Sequence, residues 1–264
     1  MSREDDARQL AEIERSASEA RHTRIQIVDI HRYLNPAQDT PFALEYAFHL
    51  MGNVEGKTVL DLGCGSGESI PALHARGARV LGVDLSPDLI QLAKGRLDVY
   101  GISTATLKLG SAYETGVPTA SVDVVFCMSL LHHLHIPRAL REIRRVLRPG
   151  GYVVVKEPIR FLRLYDRLRK MFPAHEDSSD YEHPLTRAEF SILERDFVPS
   201  QTRFFRLPFV PLIRKRYAWR ASAFLLRVFP ALNPLATVVV TKLSAKTQPA
   251  TPFVAEGLSE VSVE

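Results

Sequence analysis

The sequence predicts an α/β three-layer sandwich, a mostly parallel sheet with helices on both faces. Two observations carry this reading. Short apolar, β-branched runs alternate with amphipathic helical stretches from residue 56 to residue 157, and the first run ends directly in three alternate glycines. The composition agrees: 45% hydrophobic and 24% charged residues over 264 positions are ordinary globular values, so a core can form without disulfides or metal.

Residues 57–62 read as the first strand, 69–76 as a helix and 79–83 as the second strand. Residues 86–100 continue at helical periodicity, because Ser86 can cap the helix and Pro87 fits its first turn. Further strands fall at 106–109, 122–127 and 152–157, with a helix over 137–147 closed by Pro149-Gly150-Gly151. After residue 159 the rhythm changes. A basic amphipathic helix over 160–172 precedes a polar stretch, 173–184, and a helix starting at Thr186, with Glu189 three residues on. Strands are expected at 198–205 and 236–242; if they pair as an antiparallel edge, the Arg-, Phe- and Leu-rich residues 208–230, with Trp219, form an inserted helical cap.

The domain organisation follows from this order. Residues 1–55 form an N-terminal helical cover, a charged helix or a flexible arm followed by an aromatic-rich segment, and residues 56–244 form the core. Within that core, residues 160–235 are a partly helical substrate cap. Residues 245–264 lack a sustained apolar pattern and are expected to be disordered.

The formal net charge is +4, but residues 160–227 hold 14 basic against 8 acidic residues. Such an excess favours an anionic substrate or a lipid headgroup, and a solvated helical face would show it too. No long basic run is interleaved with aromatics, so no stable nucleic-acid partner is expected. Cys64 and Cys127 lie in or beside apolar runs and read as buried thiols in a reducing compartment. The first twenty residues lack the apolar stretch of a secretory signal, and no window is apolar enough to span a membrane. The expected location is the cytoplasm.

The strongest motif is Val59-Leu60-Asp61-Leu62-Gly63-Cys64-Gly65-Ser66-Gly67. A buried strand runs into a loop whose missing side chains let backbone approach a ligand at the next helix's start. It is not a dinucleotide fingerprint, because Glu68 stands where the third glycine of that pattern would be. Glu68 and Asp61 oppose a pyrophosphate and suit a cationic amine instead. Asp84, 23 positions after Asp61 at the end of the second strand, can accept from both hydroxyls of a ribose; an ordinary cap is the competing role.

With these residues in place the chain resembles the class I S-adenosylmethionine-dependent methyltransferases. The resemblance runs from residue 56 to 157 and includes Ser129-Leu130-Leu131-His132-His133-Leu134 and Arg148-Pro149-Gly150-Gly151. It implies a seven-stranded sheet with one antiparallel strand and S-adenosylmethionine as cofactor. It also implies that Gly63, Cys64, Gly65 and Gly67 approach the donor's amino-acid moiety, which Asp61 orients. Asp84 would take the ribose, Leu85 the adenine, and the Cys127 backbone the methionine portion. Many relatives carry an acid after the third strand, whereas this chain has Ser111, a weaker acceptor, with Ala112 beside it.

An activated methyl donor leaves the protein to align an acceptor and exclude water. His132, His133 and Glu157 are the catalytic candidates, with loop ordering, capping or a salt bridge as competing roles. Tyr33, Tyr181 and His183 are the substrate-facing candidates, with core or surface placement as theirs. His175 and His183 have no convergent third ligand, so no metal is expected.

The reaction expected is methyl transfer to a small-molecule acceptor, anionic or hydrophobic, with oxygen slightly preferred over nitrogen or carbon. A nicotinamide-dependent oxidoreductase, a non-enzymatic S-adenosylmethionine sensor and an RNA methyltransferase are the alternatives. Peripheral membrane contact through the basic, aromatic residues 204–229 stays open, as does the oligomeric state.

Overall fold

The computed structural model describes residues 3–161, 183–207 and 215–245. Tyr181, His175, nearly all of 160–172 and all but the first residue of 245–264 lie outside the described residues.

Seven strands form one sheet in the order β3-β2-β1-β4-β5-β7-β6. They are β1 (Thr58–Leu62), β2 (Arg79–Asp84), β3 (Thr106–Leu109), β4 (Val122–Met128), β5 (Leu147–Pro158), β6 (Phe197–Phe205) and β7 (Val238–Ala245). The first five pair in parallel, and β7 is antiparallel to both β5 and β6. The last two strands therefore do close an antiparallel edge.

Alternation along the central strands divides the core. Leu60, Leu62, Val125, Cys127, Val153 and Val155 point to one face, where they meet α6 (Ile136–Val146) and α7 (Arg187–Asp196). Val59, Val124, Phe126 and Val154 point to the other, beneath α3 (Ala43–Met51), α4 (Ile70–Ala75) and α5 (Pro87–Tyr100). Strands covered on both faces need apolar residues at every position, which is why these runs read as continuous rather than alternating.

Local chemistry sets the ends. The Ser86 hydroxyl accepts from the Leu89 amide at 3.3 Å, and Gly101 closes α5 with φ 63°. Thr186 and Glu189 form the reciprocal capping box expected of them. One boundary differs from the sequence reading: α6 ends at Val146, and Leu147 already pairs with Val122. Residues 148–151 turn out between the Leu147 and Tyr152 pairings, with Gly150 at φ 79°, while Arg148 grips both oxygens of Asp123 at 2.8 Å.

The cover is built from the N-terminus. α1 (Arg3–His22) packs on α5, and the segment after it is fixed there. Arg96, 2% exposed, donates to the carbonyls of Gln26 and Ser66, and the Tyr100 hydroxyl bonds to both the amide and the carbonyl of Val28. α2 (His31–Leu34) leads from there to α3. α8 (Lys215–Val228) instead packs against β6 and a short 3-10 turn, Pro230–Leu235.

Candidate active site

A cavity of about 420 Å³ opens beyond the carboxyl ends of β1, β2 and β4, where a parallel sheet places its ligands. Its floor is the loop after β1. The amides of Gly63 and Cys64 both donate to the Val83 carbonyl, at 2.8 and 3.0 Å, so the loop folds back across β2. Gly63, Gly65 and Gly67 have φ of 69°, 51° and 75°, a region L-residues avoid. Each meets different surroundings. A Cβ on Gly63 would lie 2.7 Å from Leu130 and one on Gly67 3.0 Å from Ala93, whereas one on Gly65 would meet nothing within 4 Å. Gly65 leaves a cradle free for a ligand.

Two carboxylates flank that cradle. Asp84 accepts from the Gly65 amide at 2.8 Å and the Ser86 amide at 2.9 Å; burial raises its pKa against these bonds. Asp61 is 3% exposed, and its Oδ2 is buried without a hydrogen-bond partner. Burial, reinforced by the Asp84 charge, pushes the Asp61 carboxyl up to about 7. A buried unsatisfied carboxylate oxygen at a ligand cavity asks for a donor, preferably a cation. An α-ammonium group beside the Gly65 cradle, with a ribose at Asp84, fits both requirements.

Of the sequence-derived cofactor residues, Asp61, Gly63, Cys64, Gly65, Asp84, Leu85, Ser111 and Ala112 line the cavity. The Ser111 hydroxyl accepts from the Tyr113 amide at 3.1 Å, and burial raises the Cys64 thiol far above its usual range. Gly67 and Cys127 do not line it. Gly67 brings the loop close to α5, and Cys127 is fully buried between Leu62 and Val155. Met128 and Ser129 reach the cavity instead.

The catalytic candidates separate. Glu157 is fully buried and acts as a hub: one oxygen accepts from the Leu130 and Leu131 amides, both at 2.8 Å, and the other meets His132 Nδ1 at 2.7 Å. Neither Glu157 nor His132 lines the cavity; together they hold the turn Leu131–His133 in place. His133 does line it, and its Nδ1 faces Glu12 of α1 at 3.3 Å. Among the substrate-facing candidates, Tyr33 lines the cavity beside Phe48, ring centroids 4.9 Å apart. His183 lies off it, 3.7 Å from Glu189, and Tyr181 is outside the described residues.

Several lining residues escaped the sequence reading. Arg8, Glu12 and Arg15 come from α1, and none of the described residues of 160–235 contributes. Lys156 donates to the Ser129 hydroxyl at 2.7 Å, and burial lowers its pKa. Lys156 could have been found, since it sits beside Glu157 where β5 reaches the ligand end of the sheet. Glu12 carried no signal, because a charged helix does not disclose what it covers. Among the described residues no group of three metal-ligating side chains exists.

The fold and the site define an α/β protein with a glycine cradle, flanked by two carboxylates, at the carboxyl ends of its parallel strands. Residues 60–155 match the model of the family described as "Methyltransferase domain". The chain is 29% identical over 160 residues to a ubiquinone biosynthesis O-methyltransferase of Aeromonas salmonicida, covering 58% of this chain and 66% of that one. It is 36% identical over 115 residues to the protein of the same name from Nitrosomonas europaea, covering 43% and 48%. The chain thus spans between about half and two thirds of the length of these relatives. In fold it is similar to geranyl diphosphate C-methyltransferase from Streptomyces coelicolor, with a TM-score of 0.58, 16% identity and coverage of 88% and 98%. Residues 60–155 thus carry a methyltransferase domain, and the chain shares the fold of class I S-adenosylmethionine-dependent methyltransferases.

Proposed function

We propose that this protein transfers the methyl group of S-adenosylmethionine to an oxygen of a small-molecule acceptor. The observation that carries the reading is the pair Asp61 and Asp84 on either side of the open Gly65 cradle, an arrangement suited to an ammonium and a ribose. The names of the two curated relatives support oxygen as the acceptor atom. The bound donor supplies an electrophilic methyl on a sulfonium, so the protein's own task is positioning and proton removal.

In this reading Asp61 holds the ammonium, Asp84 and Leu85 hold the nucleoside, and Ser111 and Ala112 meet the adenine edge. His133 takes the acceptor's proton. Glu12 faces Nδ1 and would orient the ring. Tyr33 and Phe48 form an apolar wall against which a planar acceptor can rest. Glu157 and His132 keep the histidine turn in register, and α1 excludes water.

Calorimetry with S-adenosylmethionine, S-adenosylhomocysteine and NADH, followed by transfer of labelled methyl to a panel of phenols, carboxylates and amines, tests this. Saturable binding of both adenosyl ligands and labelling of phenols is expected. Labelling of amines alone would move the acceptor atom to nitrogen, and donor binding with no transfer to any acceptor would favour a sensor.

A further inference from the structure

α8 turns apolar side chains outward. Among its described side chains Ser222 and Leu226 are buried, the Ser222 hydroxyl accepting from the Leu207 amide at 3.2 Å. On the solvent side Tyr217 is 47%, Phe224 64% and Val228 49% exposed, and Phe229 just beyond is 53% exposed. At 3.6 residues per turn, positions 217, 224 and 228 fall within about 40° of one another around the axis. Arg220 and Arg227, both exposed, border that stripe on one side. A surface helix ordinarily shows the reverse pattern, with its polar face outward.

The charge along this part of the sequence has one sign. Between Asp196 and Glu256 the sequence contains no acidic residue and nine basic ones, including the consecutive Arg214, Lys215 and Arg216. We propose that the outer face of α8 docks the protein on an anionic lipid surface, with Tyr217, Phe224, Val228 and Phe229 entering the headgroup region and Arg220 and Arg227 pairing with phosphates. An apolar stripe bordered by arginines is the pattern of helices that lie in a membrane interface. The helix lies flat, because among the described residues no helix is long and apolar enough to cross a bilayer. A second copy of the chain fits less well, since it would bring the same unbalanced cations together. RNA would take the arginines but leave Val228 and Phe229 in water.

The face is near the site. Trp219, on the inner side of α8, contacts the Phe42 ring, centroids 6.1 Å apart, and Phe42 leads into α3, whose Leu44 and Phe48 line the cavity. Docking would therefore bring the cavity within one helix of the lipid. The proposal does not depend on methyl transfer.

Co-sedimentation of the full chain with vesicles of phosphatidylcholine, alone or mixed with phosphatidylglycerol, tests it. Sedimentation with the mixed vesicles only, weakening with salt, is expected. Arg220→Gln with Arg227→Gln should weaken binding about fivefold per charge removed, and Phe224→Ser with Val228→Ser by at least about tenfold. Both double variants should keep the wild-type melting temperature and donor affinity. The proposal is overturned by absence of sedimentation, by equal binding to both vesicle types, by wild-type binding of both variants, or by concentration-dependent dimerisation that the same substitutions abolish. Equal competition by RNA in binding that ignores Phe224 would also overturn it.

Discussion

Glu12 of the N-terminal helix reaches across the cavity to within 3.3 Å of His133, joining the cover to the turn that follows β4. Burial works against ionisation of Glu12, but hydrogen bonds from His133 and Arg15 outweigh it and hold the carboxyl at about 2. A depressed carboxylate contributes stability above its unfolded value and loses it as pH falls. The tie should therefore weaken between about pH 4.5 and pH 2. Glu12→Gln should leave α1 less protected from hydrogen exchange at neutral pH, with donor affinity reduced severalfold. Unchanged exchange in α1 would show that the contact does not hold the cover.

Asp61 works in the opposite sense. Its pKa is raised to about 7 by burial first and Asp84 second, so the folded state favours the protonated form. The associated stability is present below the unfolded value near 3.8 and is lost as pH rises through about 7. Without donor, the melting temperature should fall between pH 5 and pH 8, all else equal, and Asp61→Asn should flatten that slope. The same substitution should cost at least about tenfold in S-adenosylmethionine affinity at pH 8, since the ammonium loses its counter-charge. Thermal melts across pH with and without the donor read both effects.

Gly63 and Gly65 should respond differently to the same alanine. Both carry a strained positive φ, costing about 1–2 kcal/mol once a Cβ is present. At Gly63 the new methyl also meets Leu130, so Gly63→Ala should lower the melting temperature further. At Gly65 the methyl projects into the cradle, so Gly65→Ala should give the smaller loss of stability while abolishing measurable donor binding. Denaturant titration beside calorimetry separates the two.

Glu157 is expected to be a positioning residue. Glu157→Ala would strand the Leu130 and Leu131 amides and the buried His132, a loss of about 3 kcal/mol or more. Glu157→Gln keeps an acceptor for the amides and should retain most of the stability. The rate constant kcat should fall at least about a hundredfold in His133→Ala and far less in Glu157→Gln. Undiminished turnover in His133→Ala would remove that histidine as the base.

The sheet, its strand positions and the glycine loop were legible in the sequence because each depends on neighbours in the chain: apolar runs, Ser86-Pro87, the Thr186–Glu189 capping box and glycines at positive φ. Asp61 and Asp84 were legible for the same reason, each standing at the end of its own strand. Tertiary structure alone decided which residues face the cavity. His132 and His133 are adjacent and chemically identical, with ring centroids 4.0 Å apart, yet one meets Glu157 of β5 and the other Glu12 of α1, partners that only the packing of those elements supplies. The cover was decided the same way. Charged residues 2–24 read as a loosely packed helix, with a flexible arm as the rival, and what settles the chain that follows them is Arg96 and Tyr100, residues some 70 positions away.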